Sequence, residues 1–297
     1  MASEYIDRKT GKRCIEKFYG QRALSLFYGD GWWSRLFFLT VLPVLAHVPW
    51  FSYLYGYLQK RPRSARKIAS FIQVYGVDKR EFLEAEFRSF NDFFIRKLKP
   101  EARPVSQDPR VLVAPADARY LVYPRFEAFS IKEKTFSLRE FLQNIELTHR
   151  YREGSMVIAR LCPSDYHRFH FPCDAFVSKA KLIPGPLFSV NPMALQKKLS
   201  ILVENKRMVT EVHSERFGML LYLEIGATCV GSIRQTYQPE TVVKKGEEKG
   251  YFEFGGSCIV LFLEKGKVRF DEDLLRNTQA GFETRMNYGE SLAFKVP

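Results

Sequence analysis

Phe254-Gly255-Gly256-Ser257-Cys258-Ile259-Val260-Leu261-Phe262-Leu263 is the stretch on which the reading of this chain turns. Two glycines free the backbone for a tight turn. The five apolar residues that follow the Ser-Cys pair read as a buried strand. Taken alone, Gly-Gly-Ser before a strand is a turn. A serine hydroxyl is a weak nucleophile unless a base activates it, so its meaning depends on the residues elsewhere that could serve it.

Upstream of this stretch lie further short runs, β-branched or aromatic and bounded by Gly, Pro or charged turns. Val111–Ala114, Tyr120–Tyr123, Met156–Leu161, Ile201–Glu204, Met208–Val212, Met219–Ile225 and Thr228–Ile233 are all expected as strands. Ser137-Leu138-Arg139-Glu140 reads as a capping box opening a short helix. Residues 106–297 are therefore expected to form a mainly antiparallel, β-rich domain. Residues 1–105 differ. They are charged and aromatic, with helical character around Ile15 to Tyr28, and Asp78 reads as the N-cap of a helix through Phe82, Leu83 and Phe87. The expected class is α+β, a helical membrane-associating region followed by the β domain.

Charge supports that division. The chain has 297 residues and a net charge of +13. Residues 1–70 hold 12 Lys/Arg against 4 Asp/Glu, a surplus of 8. Such a surplus suits an anionic membrane or nucleic acid, but no nucleic-acid module is present. Leu36 to Leu58 contains no charged residue. As one helix its 23 residues would reach about 34 Å, enough for a bilayer core. Pro43 and Pro49 interrupt it, Trp32 and Trp33 precede it, and Tyr53, Tyr55 and Tyr57 close it, like interfacial anchors. Lys60, Arg61, Arg63, Arg66 and Lys67 follow. A helix or shallow hairpin lying in one leaflet fits better than a kinked span or a buried helical pair. Removing residues 1–60 is then expected to release the protein from anionic liposomes. Five scattered cysteines suggest reduced thiols, and the N-terminus lacks the apolar core of a signal peptide.

Three residue types could make the serine reactive. Asp117 follows a strand in Ala114-Pro115-Ala116-Asp117-Ala118-Arg119. His167 and His170, two of only five histidines, lie in Cys162-Pro163-Ser164-Asp165-Tyr166-His167-Arg168-Phe169-His170-Phe171-Pro172-Cys173. The flanking cysteines invite a zinc reading, but four ligands within twelve residues would crowd a tetrahedral site; no metal is expected. Aspartate, histidine and serine can act as orienter, base and nucleophile. The serine lacks the Gly-x-Ser-x-Gly elbow of an α/β-hydrolase.

These motifs together resemble the phosphatidylserine decarboxylase family over roughly residues 85–297. The resemblance rests on Phe90-Asn91-Asp92-Phe93-Phe94-Ile95-Arg96 with Leu98-Lys99-Pro100, on Pro115-Ala116-Asp117-Ala118-Arg119, and on Asp165-Tyr166-His167-Arg168-Phe169-His170. Ile225-Gly226-Ala227-Thr228-Cys229-Val230-Gly231-Ser232-Ile233 and the run from Lys245 to Ser257 complete it. It implies a proenzyme that cuts itself between Gly256 and Ser257. The products would be a β chain of residues 1–256 and an α chain of residues 257–297, which stay associated. Asp117, His170 and Ser257 would be the self-processing triad, and Ser257 would become a covalent pyruvoyl cofactor. That group would form a Schiff base with phosphatidylserine, His167 would serve decarboxylation and protonation, and phosphatidylethanolamine would be the product. A peripheral or monotopic position on the cytoplasmic face of a bacterial cell membrane is implied, with no nucleic-acid partner and a homodimer left open. Two positions depart from the family pattern. Cys258 stands where Thr or Ser is usual, and Ala118 where Gly is commonest. Rival readings are a lipid serine hydrolase, which would stay uncut and react with a fluorophosphonate, and an inactive membrane-binding protein, which would stay uncut and release no CO₂.

Overall fold

The structure is a computed structural model that describes every residue except 1–3, 18–28, 30, 48, 85, 126–128, 132, 133, 137, 199, 228–232, 256 and 297. Its centre is an 11-stranded sheet. In chain order these strands are β1 (Glu4–Asp7), β2 (Arg13–Ile15), β3 (Ala118–Tyr123), β4 (Ser155–Leu161), β5 (Ala175–Val177), β6 (Lys181–Ile183), β7 (Arg207–Ser214), β8 (Gly218–Gly226), β9 (Thr241–Val243), β10 (Ser257–Leu263) and β11 (Glu283–Met286). Across the sheet they run β9-β5-β7-β8-β10-β4-β3-β11-β1-β2, with β6 also paired to β7. The pairings are antiparallel except that of β1 with β11. The α+β, mainly antiparallel class is thus as the sequence suggests.

Strand β10 lies in the middle, between β8 and β4. Its side chains alternate between two faces, as strand geometry requires. Ile259, Leu261 and Leu263 enter a core under two three-stranded sheets, one of Arg168–His170, Ile233–Gln235 and Glu248–Phe252, the other of Val111–Val113, Val268–Phe270 and Ser291–Lys295. Cys258, Val260 and Phe262 enter the opposite core, covered by the helices Leu138–Leu142 and Ile201–Glu204. A strand buried on both faces needs an unbroken apolar run, which residues 259–263 supply.

A buried ion pair bridges the central sheet and one of the small sheets. Lys249 Nζ lies 2.6 Å from Glu224 Oε1, and both side chains are fully buried. Gln235 accepts from Lys249 at 2.8 Å and donates to Glu224 at 3.1 Å. The rings of Tyr237 and Tyr222 face the ammonium at 4.8 and 5.0 Å. Burial pushes Lys249 down and Glu224 up, and each opposes the other's shift. Removing one partner leaves a buried charge without its counterion, so Lys249→Met should cost about 3–5 kcal/mol. Adding Glu224→Leu should recover most of that loss. Urea unfolding of an uncut Ser257→Ala background measures both; a Lys249→Met loss under about 1 kcal/mol contradicts the paired-charge account.

Several sequence expectations change. Ile201–Glu204, expected as a strand, is a short helix whose Ile201, Leu202 and Val203 are buried against the sheet. Packing overrides the β-branched preference. The helix expected from Asp78 through Phe87 is only a 3₁₀ turn, Lys79–Glu81, though Asp78 does accept the Arg80 N–H as a cap. Phe82 and Phe87 instead join an aromatic cluster. Ile15, expected near the start of a helix, ends strand β2, and residues 18–28 lie outside the described residues. Ser137 and residues 228–232, which include Cys229, also lie outside them; Leu138–Leu142 is nevertheless helical and Ile233–Gln235 a strand.

The uncharged stretch forms two helices, α1 (Trp32–His47) and α2 (Pro49–Lys60). Pro49 takes the first position of α2, where its missing N–H costs nothing. No described helix is long and apolar enough to cross a membrane. Leu42 and Ala46 of α1 pack on the core, while Trp32, Trp33, Leu36 and Leu39 are exposed.

Candidate active site

Ser257 is the first residue of β10, opposite Gly226 on one side and Leu161 on the other. It is fully buried, and its Oγ has no hydrogen-bond partner among the described residues. A buried hydroxyl without a partner loses its solvation uncompensated. Gly256, whose carbonyl is the expected point of cleavage, lies outside the described residues. Gly255 has φ of 146°, a conformation side chains rarely permit. The preceding residue is clamped. The Phe254 N–H donates to Asn91 Oδ1 at 2.9 Å, and its ring sits 5.1 Å from Phe90 and 5.0 Å from Phe94. The helix Phe90–Phe94, capped by Ser89, therefore holds the approach to Ser257. That explains physically why the Phe90-Asn91-Asp92-Phe93-Phe94 motif and the serine occur together.

Cys258 faces away from this site. Its thiol lies in the apolar core with Val260 and Phe262, directed at the Ile259 carbonyl at 3.6 Å, and burial pushes it up to about 12. Its replacement of a hydroxyl residue is a packing change on the far face of the strand.

The two histidines follow β4. The Cys162–Asp165 turn closes through the Asp165 N–H on the Cys162 carbonyl at 2.9 Å, and the Cys162 N–H donates to Asp165 Oδ2 at 2.7 Å. His167 Nδ1 then lies 2.9 Å from the Asp165 carbonyl, so Nδ1 carries the proton and Nε2 is a bare acceptor. That Nε2 is buried and has no hydrogen-bond partner among the described residues. The ring rests on Phe94 at 3.8 Å. His170 ends the strand Arg168–His170. Its Nδ1–H donates to the Gly246 carbonyl at 3.0 Å, leaving Nε2 to accept from Tyr166 O–H at 3.3 Å. Its ring stacks on Tyr288 at 3.8 Å.

Asp117 is not in hydrogen-bond contact with His170. Arg103 grips its carboxylate at 2.6 to 3.0 Å, and the Tyr288 N–H donates to it at 2.8 Å. Asp117 meets the imidazole indirectly, through the Tyr288 ring and through the His170 N–H on the Pro115 carbonyl at 2.8 Å. Arg103, Tyr166 and Tyr288 were not singled out in the sequence. Tyr166 lies inside the histidine motif, whereas nothing around Tyr288 signals a site.

Burial pushes His167 down to about 3 and His170 down to about 4, so both rings are neutral near pH 7. The unfolded chain takes up these protons below about pH 6.5 and the folded protein does not. Stability should therefore fall as pH drops from 6.5 toward 4, by on the order of 2 kcal/mol per histidine at pH 5. Glu16 adds nothing in that range. Burial pushes it up, but Arg160 and Arg119 hold it at about 2, so its contribution is lost only below the ordinary carboxylate value. Urea unfolding at pH 7.5 and 5 measures the effect, and equal stabilities at the two pH values contradict it.

Comparison with known proteins matches residues 90–294 to the family model described as phosphatidylserine decarboxylase. The chain belongs to the phosphatidylserine decarboxylase family. It is 46% identical over 295 residues to the phosphatidylserine decarboxylase proenzyme of Chlamydia pneumoniae, covering 97% of this chain and 96% of that one. It is 46% identical over 297 residues to the Chlamydia felis proenzyme, covering 97% of each. The Clostridium novyi proenzyme is 43% identical over 296 residues, covering 98% of this chain and 99% of that one. The protein is accordingly an enzyme, a decarboxylase of phospholipid metabolism. The match to full-length relatives extends through the N-terminal third, beyond the residues on which the resemblance was first seen.

Proposed function

We propose that the decarboxylase converts phosphatidylserine to phosphatidylethanolamine, using a pyruvoyl group that it makes from Ser257. The observation that carries this reading is Ser257 itself, a buried hydroxyl with no hydrogen-bond partner among the described residues at the head of β10, two residues after a glycine at φ 146°. A side chain that maturation consumes needs no hydrogen bond of its own in the finished site, so the residues fit the group. In the cleavage step Ser257 Oγ attacks the Gly256 carbonyl carbon as its proton passes to a neutral imidazole. The peptide C–N bond breaks to leave an ester and a free amine. Loss of the Ser257 Cα proton expels the Gly256 carboxylate, and water then releases ammonia to leave the ketone. His170 suits the role of base. Its Nδ1–H is fixed on Gly246, so the basic lone pair is at Nε2, which accepts from Tyr166 O–H at 3.3 Å and would exchange that donor for Ser257 Oγ. Gly246 has φ of 83°, the left-handed region that suits glycine, and Asp117 supports the ring through Tyr288.

The pyruvoyl group supplies a ketone that captures an amine and accepts the electrons released with CO₂. The headgroup amine arrives protonated. His167 Nε2, bare and without a partner, takes that proton and later returns it to the carbon that lost CO₂. Phe94 shields the ring and keeps it neutral until substrate arrives.

A lipid substrate requires the enzyme to lie on the bilayer. The exposed Trp32, Trp33, Leu36 and Leu39 with the basic residues after α2 suit an interfacial position. The cytoplasmic face of a bacterial membrane accords with this reading. Deleting residues 1–60 does not test it, because the cut also removes β1 and β2 from the central sheet. Trp33→Ser with Leu39→Ser is the cleaner experiment. It should weaken sedimentation with phosphatidylglycerol vesicles by about 10-fold or more, and unaltered sedimentation contradicts the membrane role. Intact-mass analysis tests the function as a whole. A 41-residue fragment bearing an N-terminal pyruvoyl group, together with CO₂ release from phosphatidylserine, is expected; an intact, fluorophosphonate-reactive chain supports a hydrolase instead.

A further inference from the structure

Glu16 is a buried carboxylate from the far N-terminus, one residue beyond β2. It does not contact the candidate site directly. Its Oε1 and Oε2 accept from Arg160 Nη1 and Nη2 at 3.0 and 2.6 Å, and Oε2 lies 3.6 Å from Arg119 Nε. The Cys162 thiol also donates to it. Arg160 shares its guanidinium with Glu283 at 2.5 Å, and Arg119 Nη1 donates to Asp165 Oδ2 at 2.7 Å. Asp165 is the residue whose carbonyl holds His167 Nδ1. An unbroken line of charged contacts therefore runs from Glu16 through Arg119 to the loop that aims His167. Arg160 joins it from the adjoining strand.

We propose that Glu16 is a positioning residue for His167, acting through Arg119 and Arg160 to fix Asp165 and with it the direction of the unpartnered Nε2. This rests on the role given to His167 above. Asp165 lies in the turn between β4 and the strand Arg168–His170, where its N–H donates to the Cys162 carbonyl at 2.9 Å and its carbonyl also accepts from Arg96 Nη2 at 3.2 Å. Its carboxylate is held by one guanidinium and one backbone N–H. Without Glu16 the two arginines keep only Glu283 and Asp165 as anionic partners among the described residues. Arg119 and Arg160 would then compete for those anions, and the turn would shift. The first strands of the chain thus complete the site as well as the sheet, a task separate from the membrane-facing helices that follow them.

The experiment uses the matured, full-length enzyme and dihexanoyl-phosphatidylserine, a soluble substrate that removes membrane docking from the readout. Rates are expressed per pyruvoyl group. Glu16→Gln should lower kcat about 10-fold while KM stays within about twofold, because orientation and not binding is lost. Glu16→Asp, which keeps the charge, should recover most of the rate. A brace with no positioning role would lower Tm and yield but leave kcat per pyruvoyl unchanged, and that result overturns the proposal. If Glu16→Gln does not accumulate as folded protein, Arg119→Lys decides. It keeps the charge beside Glu16 but loses the guanidinium fork, and should show the same kcat loss. His167→Ala is measured in parallel. If it retains kcat, the role of His167 is wrong; if it loses kcat while Glu16→Gln does not, this inference alone fails.

Discussion

Ser257→Ala is expected to remain a single chain of 297 residues with no decarboxylase activity. The substitution removes one oxygen, Oγ, that has no hydrogen-bond partner among the described residues, so no described hydrogen bond is broken by its loss. Folding should be preserved and stability unchanged or slightly raised, since a buried polar atom without a partner disappears. The chemical effect is absolute, because without the hydroxyl neither the attack on Gly256 nor the ketone is available. Gel electrophoresis and intact mass measure the first outcome and CO₂ release the second. A 41-residue fragment from this variant would refute the cleavage mechanism outright. Cys258→Thr is the informative partner. Cys258 packs on the opposite face of β10, so its exchange should change stability more than cleavage rate.

His170→Ala and His167→Ala should separate the two halves of the reaction. His170→Ala is expected to stall the precursor, slowing cleavage about 10²–10⁴-fold, the range for loss of a general base. His167→Ala should cleave normally and then decarboxylate 10²–10⁴-fold more slowly, with KM little changed. Time-resolved gels report cleavage, and turnover per pyruvoyl reports the second step. A precursor that cuts normally without His170 contradicts the assignment. The two rings are held differently: His170 is tied at both nitrogens, to Gly246 and Tyr166, and stacked on Tyr288, whereas His167 Nε2 has no hydrogen-bond partner among the described residues.

The strand at 257–263 was readable because burial on both faces demands an uninterrupted apolar run. Strands β4 and β8 were readable, within a residue or two at their ends, because their runs are mostly apolar although Arg160 and Glu224 interrupt them. Ile201–Glu204 was misread because three apolar residues and a glutamate are too few to show a period, and tertiary packing chose helix. Strands β1 and β2 were missed because charged, three- to four-residue segments carry little pattern; β1 owes its place to β11, nearly 280 residues away, and β2 is paired to β1. The site was legible as a set of residue types. Its connections were not. Asp117 is gripped by Arg103, 14 positions earlier, and meets His170 through Tyr288, 171 positions later. No local spacing encodes a link of that length.

The position of β10 has a consequence for the life of the mature protein. The proposed cut before Ser257 would sever the chain at the head of a strand buried along its whole length, with β8 on one side and β4 on the other. The 41-residue piece then holds a central place in the sheet without a covalent tie. Before the cut, unfolding and refolding are unimolecular. Afterwards refolding becomes a second-order search for a partner that dilutes away, while the exposed strand is free to aggregate. Maturation would therefore leave the native contacts largely as they were and remove the way back to them. An active molecule that unfolds once is lost, and its persistence is set by the height of the unfolding barrier.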